Sequence, residues 1–245
     1  MLVDSQNTLI NQPPTLRYDL QIIADFILPK SKVLDIGCAD GELLYFLQQQ
    51  KQVQSFGLEI SQNLVSKAII KGLSVIQGNA ESDLSIYPSQ SFDYAILSQT
   101  IQATHNPPQI LQEMLRISRF AIVSLPNFAF LQNRLHLMLK GEMPVNKHIP
   151  FQWYETPNIH FCSIKDFLKL CVELNFSIQQ QVYLVKNTVL PGFLQNKFMA
   201  NLWAQSAIFV ITKAEDICIN QEQIQKKHQE RLLKIATPVC NDTSC

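Results

Sequence analysis

No charge of either sign is in excess in this sequence. Lys and Arg together number 20, Asp and Glu number 20, and the formal net charge is zero. Charged residues make up only 16% of the chain. A protein built to hold a nucleic acid carries a basic excess, so none is expected as a partner. Paired cysteines are missing as well. Cys38, Cys162, Cys171, Cys218, Cys240 and Cys245 form no CxxC pair. A zinc site needs clustered ligands, so no metal is expected, and the thiols read as reduced ones in a cytoplasmic protein. No stretch approaches the ~20 apolar residues that span a bilayer, so no membrane partner is expected. The opening MLVDSQNTLINQPP has no basic region followed by an apolar run, and is not read as a secretory leader.

What is present is apolar and alternating. Of 245 residues, 47% are hydrophobic, enough for a sizeable core. The expected division is a polar lead-in over 1–15, one domain over 16–213, and a polar tail over 214–245 with a surface helix near 220–235. RYDLQIIADFI puts Leu20, Ile23, Ala24 and Ile27 on one helical face. Strand-like KVLDIG, SFGLEI, LSVIQG, SFDYAILS and RFAIVSLP then alternate with helix-like GELLYFLQQQ, QNLVSKAIIKG and PPQILQEMLRIS. That order implies right-handed crossovers and a doubly wound, mostly parallel sheet with helices on both faces. The strands are almost wholly apolar, as a sheet covered on both sides requires.

The pattern then loosens. FAFLQNRLHLMLKG reads as a helix ending at Gly141. EMPVNKHIPFQWYETPNIHFC has no period and is too long for an ordinary connection. SIKDFLKLCVELN opens on Ser163 with Asp166 three residues on, a capping-box pattern. SIQQQVYLV and SAIFVITK read as two late strands, with an unpatterned linker over 186–205 between them.

The turn after KVLDIG carries the first functional signal. A dinucleotide fingerprint, G-x-G-x-x-G from Gly37, would need glycines where Ala39 and Glu42 stand, and Glu42 would put a carboxylate beside a pyrophosphate. The spacing that fits is acidic-x-Gly-x-x-x-Gly, at Asp35, Gly37 and Gly41, with Cys38 between the glycines. It resembles the first motif of class I S-adenosylmethionine (SAM) methyltransferases. Read so, the ligand is a cation with a carboxylate end, Gly37 admits its methionine part, and Asp35 orients its ammonium. Glu59, ending the second strand, would accept the ribose hydroxyls, and Ile60 would pack on the adenine. Asn79 and Ala80 follow the third strand on the adenine side, and Ser98 and Gln99 follow the fourth. All lie at carboxyl ends of strands, where ligands bind in such sheets. The plainer alternative is a tight strand-to-helix turn beside a solvated Glu59.

A narrower resemblance follows. FDYAILSQTIQA, EMLRISRFAIVSLPNF, GEMPV and WYETPNIHFCSIKDF, with the opening RYDLQIIADFI and VLDIGCADGELL, are similar to the MetW family of methionine-biosynthesis proteins over about residues 16–212. The resemblance implies a Rossmann-like, class I methyltransferase-like fold with a seven-stranded sheet whose last strand is antiparallel. It implies SAM or S-adenosylhomocysteine as the bound molecule. It also implies a homoserine O-acyltransferase as the partner supported or regulated. A SAM-dependent methyltransferase acting on a small molecule is the other functional reading. Ala39 stands where the family usually has Gly, and Asn79 where it usually has Asp.

Methyl transfer asks a protein chiefly for positioning, and for a base only when the acceptor must lose a proton. The candidates near the strand ends are His105, Asn127, Tyr154 and His160. His105 also reads as a loop residue before a helix, and Asn127 as a cap for the helix after it. WYETPNIHFC reads as an acceptor pocket, a lid, a partner surface rich in aromatics, or packing on the sheet edge.

Overall fold

The computed structural model describes residues 16–146 and 149–214. The helix expected near 220–235 lies outside them. In chain order the elements are α1 (Tyr18–Phe26), β1 (Lys32–Ile36), α2 (Glu42–Lys51), β2 (Gln54–Glu59), α3 (Gln62–Ile70), β3 (Ser74–Gln77) and α4 (Ala80–Asp83). Then come β4 (Phe92–Ser98), α5 (Pro107–Ile117), β5 (Ser118–Pro126), α6 (Leu131–Lys140), α7 (Ile164–Glu173), β6 (Phe176–Val185), β7 (Thr188–Val189), α8 (Lys197–Trp203) and β8 (Ser206–Lys213).

The strands form one sheet in the order β3-β2-β1-β4-β5-β8-β6-β7. The first five pair in parallel, while β8 runs antiparallel to both β5 and β6. The expected count of seven is corrected to eight. The extra strand is the two-residue β7, which folds back on β6 through Leu184↔Val189 and Val185↔Thr188. Two residues have no periodicity to betray them. The linker over 186–205 also holds α8, whose Asn196 side chain accepts from the Met199 N–H at 2.8 Å.

Alternation along the strands supplies both cores. Leu34, Ala95, Leu97, Ala121 and Val123 pack with Ile110, Leu111 and Met114 of α5 and Phe167 and Cys171 of α7. Val33, Ile96 and Ile122 face the other way, onto Ile23 and Ala24 of α1 and Leu43 and Leu47 of α2. A third cluster joins Leu44, Val65, Ala68 and Val75 beneath the first turn. Helix starts are local: Asn106 caps α5, whose first residues are prolines, and Ser163 with Asp166 forms the expected capping box of α7.

The chain leaves β1 for β2 and β3 on one side, then returns to place β4 on the other. The switch point therefore falls between β1 and β4, and the crevice at their carboxyl ends is where such sheets take ligands. Among the described residues no helix is long and apolar enough to cross a membrane.

Candidate ligand-binding site

Three left-handed residues in five shape the turn after β1. Gly37 has φ +72°, Ala39 φ +51° and Gly41 φ +77°. A Cβ on Gly37 would lie 3.0 Å from the Thr100 hydroxyl, and one on Gly41 would lie 2.3 Å from a Leu73 methyl. The turn thus needs glycine at both ends, for backbone conformation and for space. Ala39 keeps its left-handed conformation without that freedom. Its N–H donates to Glu59 Oε2 at 2.9 Å, while the Ser61 N–H donates to Glu59 Oε1 at 2.9 Å. One buried carboxylate therefore clamps the β1–α2 turn to the β2–α3 turn. Each oxygen keeps a lone pair for a further donor.

Asp35 lies beside this clamp, opposite Gly57 of β2 and Ile96 of β4. It is 3% exposed, and its Oδ1 has no hydrogen-bond partner. Burial, and then the nearby Glu59 charge, raises its pKa from 3.8 to about 7. Cys38 is buried below the turn, and burial first, with Asp35 next, pushes its thiol far up. It is a packing group there: a Cβ on Gly57 would come 2.6 Å from its sulfur. Asp40 points outward to Lys71 at 2.7 Å, and that bond leads in holding its carboxyl below the usual range.

The other strand ends line up along the same edge. Ile60 is 67% exposed, an apolar surface beside Glu59. Asn79 is exposed, and its Oδ1 caps α4 by accepting from the Glu81 N–H at 3.0 Å. Ala80 opens that helix. Ser98 meets Ser124 hydroxyl to hydroxyl at 3.1 Å, and the Gln99 N–H is held by Ser124. Gln99 is itself left-handed, at φ +52°. The structure thus gathers Asp35 at the end of β1, Gly37, Cys38 and Gly41 in the turn after it and Glu59 at the end of β2, with Ile60, Asn79, Ala80, Ser98 and Gln99 at or just after the ends of β2, β3 and β4. Thr100 and Gln102, within the SQTIQA segment, belong beside them, though no spacing in the sequence assigns them a part.

The four base candidates do not converge on this turn. His105 is largely exposed and pairs with Glu81, Nδ1 to Oε2 at 3.1 Å. Glu81 also accepts from the backbone N–H groups of His105 and Asn106, and these bonds, His105 first, hold its carboxyl below the usual range. His160 is exposed, with its Nε2 3.4 Å from the His105 carbonyl. Asn127 is buried, and its amide donates to the carbonyls of Asn201 at 3.0 Å and Ala204 at 2.8 Å. Capping of α6 by Asn127 is corrected: Phe130 occupies that position with no side-chain bond, and the Asn127 oxygen takes the Ala129 N–H. Asn127 staples the end of α8 to the loop after β5. Trp153 and Tyr154 are 71% and 66% exposed and meet edge to face, which removes plain packing as their role. Phe161 does pack, against Phe128. Among the described residues no group of three or more His, Cys, Asp or Glu side chains is placed to hold a metal.

Residues 17–211 match the family described as methionine biosynthesis protein MetW. The chain belongs to the MetW family. A relative from Rhodopirellula baltica, named bifunctional methionine biosynthesis protein MetXA/MetW, is 34% identical over 178 residues. The match covers 69% of this chain but 29% of that relative, so this MetW-family chain spans under a third of its length. Solved structures agree on the fold. A SAM-dependent methyltransferase from Thermotoga maritima aligns with a TM-score of 0.56 at 21% identity, over 80% of this chain and 87% of that one. Another, from Archaeoglobus fulgidus, aligns at 0.55 and 15% identity, over 80% and 92%. The MetW-family chain therefore has a class I methyltransferase-like domain and is associated with methionine biosynthesis.

Proposed function

We propose that this MetW-family chain binds SAM or S-adenosylhomocysteine at the carboxyl edge of β1, β2 and β4, and through it supports or regulates a homoserine O-acyltransferase. The donor set fits such a molecule. Asp35 and Glu59 offer carboxylate oxygens, which suit an ammonium group and ribose hydroxyls and repel a diphosphate. The Asp35 oxygen without a partner is the observation that carries the ligand. Exposed Ile60 offers a surface to a flat ring.

When bound, SAM supplies a methyl group on a sulfonium. The chain would hold its ribose at Glu59, steer its ammonium at Asp35 and admit its amino-acid end at Gly37. No base among the four candidates accompanies that arrangement: Asn127 is engaged in the fold, His105 is held by Glu81, and Tyr154 and His160 lie at the surface. This favours a sensor or accessory over an enzyme that must take a proton from its acceptor. The bifunctional relative supports the partner. Its name joins MetXA to MetW, and we take the MetXA part to be the acyltransferase implied by the family resemblance. Regulation then requires that the partner prefer one ligand state of this chain, by a difference in affinity. The methyltransferase reading draws on the fold neighbours and needs only a nitrogen or sulfur acceptor, which asks little of a base.

Glu59→Ala tests the ligand half. Loss of the carboxylate should weaken SAM by about 1–3 kcal/mol, the usual cost of unpairing buried polar groups. Titration calorimetry that finds unchanged affinity removes the ribose assignment.

A further inference from the structure

Among the described residues, four buried side-chain atoms have no hydrogen-bond partner: Asp35 Oδ1, Ser91 Oγ, Gln102 Oε1 and Tyr183 OH. Ser91 precedes β4 at the far edge of the sheet, and Tyr183 lies among the apolar side chains of the first core. Of the other two, Asp35 is in β1 next to its carboxyl end and Gln102 is in the short turn 101–103 that follows the neighbouring strand β4, on either side of the switch point. A buried polar atom left unpaired costs free energy, so such atoms call for an explanation in function.

Gln102 is 6% exposed and is held from two sides. Its Nε2 donates to the Gln99 carbonyl at 2.7 Å. Its own backbone carbonyl accepts the N–H groups of Ile159 at 2.8 Å and His160 at 3.0 Å. The first bond fixes which end of the amide is which: nitrogen must face a carbonyl, so the unpaired atom is the oxygen. Thr100, two residues earlier, is the side chain against which Gly37 packs. The amide is thereby anchored to the loop that touches the first turn.

We propose that the side-chain carbonyl of Gln102 is a ligand contact of this site, accepting a hydrogen bond from the ammonium end of the bound molecule. Both unpaired groups beside the switch point are acceptors, one of them a carboxylate. A primary ammonium brings N–H donors for both, and its positive charge favours the ionised form of the Asp35 carboxyl. The assignment rests on the SAM reading and extends it. It gives the amino-acid end an acceptor in the turn after β4 in addition to Asp35 on β1. It also sets Gln102 between the ligand and the aromatic segment, because residues 159–160 hang on its backbone.

The test compares two probes that share adenine, ribose and an uncharged thioether. S-adenosylhomocysteine carries the ammonium and carboxylate, and 5′-methylthioadenosine lacks both. Gln102→Met keeps the size and leaves the backbone bonds to Ile159 and His160 in place. By calorimetry it should weaken S-adenosylhomocysteine roughly tenfold or more, as for a lost hydrogen bond to a charged group, with 5′-methylthioadenosine changed less than about twofold. Equal weakening of both probes would overturn the assignment in favour of a role in shaping the loop. Unchanged affinity for both would overturn it outright. If the substituted protein does not fold, Gln102→Ala is read in the same two titrations. A wild-type chain that binds neither probe defeats the SAM reading itself, which separates that failure from a wrong role for Gln102.

Discussion

The Asp35 carboxyl is withdrawn from water and lies in the field of Glu59, and both effects favour its protonated form. Its pKa of about 7 stands above the ordinary 3.8, so between those values the folded chain holds more protons than the unfolded one. Stability from this group is full below pH 3.8 and is lost as pH rises towards 7. Asp35→Asn keeps the shape and has no charge to bury. It should gain on the wild type as pH rises across that window, by up to about 4 kcal/mol once the wild-type carboxyl is ionised. Thermal melts of both proteins from pH 4 to pH 8 check this. A constant gap would mean that Asp35 is charged in the fold throughout.

Ala39 carries a methyl group in the left-handed region, and the Glu59 carboxylate holds its N–H there.

Secondary-structure elements form where local and long-range signals agree. Ser163 and Asp166 satisfy each other across the first turn of α7, with the Asp166 N–H reaching the Ser163 hydroxyl at 3.2 Å and the Ser163 N–H reaching Asp166 at 2.9 Å. Ser163→Ala should cost about 1 kcal/mol, seen as a fall in Tm of about 2–4 °C. An unchanged Tm would show that packing of Phe167 and Cys171 alone sets the start of α7. This cap was legible because it needs only two residues at a fixed offset. The first turn was legible for the same reason: Gly37 and Gly41 punctuate an apolar strand and an apolar-striped helix. β7 and α8 were not, being too short to show a period. Asn127 misled because a polar residue before a helix reads as a cap, whereas its partners, Asn201 and Ala204, lie far along the chain. Gln102 could not be found by pattern at all. What marks it is an atom left unpaired by the packing of three separated segments.

At the scale of the whole molecule, one sheet edge gathers the carboxylates, the left-handed turn and the unpaired acceptors. The segment before α7 reaches the same edge through Gln102 and presents Trp153 and Tyr154 to solvent. Aromatic residues of that kind are favoured at the centres of protein interfaces. A ligand that settles the edge and a partner that reads the segment would be linked through the connections between them, and linkage of that kind is reciprocal. The SAM-dependent reading thus has a single consequence at this scale: what the site holds must change what the partner does.

The most direct measurement is steady-state acylation of homoserine by an acyltransferase encoded in the same genome, with and without this chain, each with and without SAM. The account predicts a rate change that requires this chain and whose size depends on SAM. Identical rates in all four mixtures, with SAM binding to this chain shown separately, would contradict the accessory role and leave the methyltransferase reading in its place.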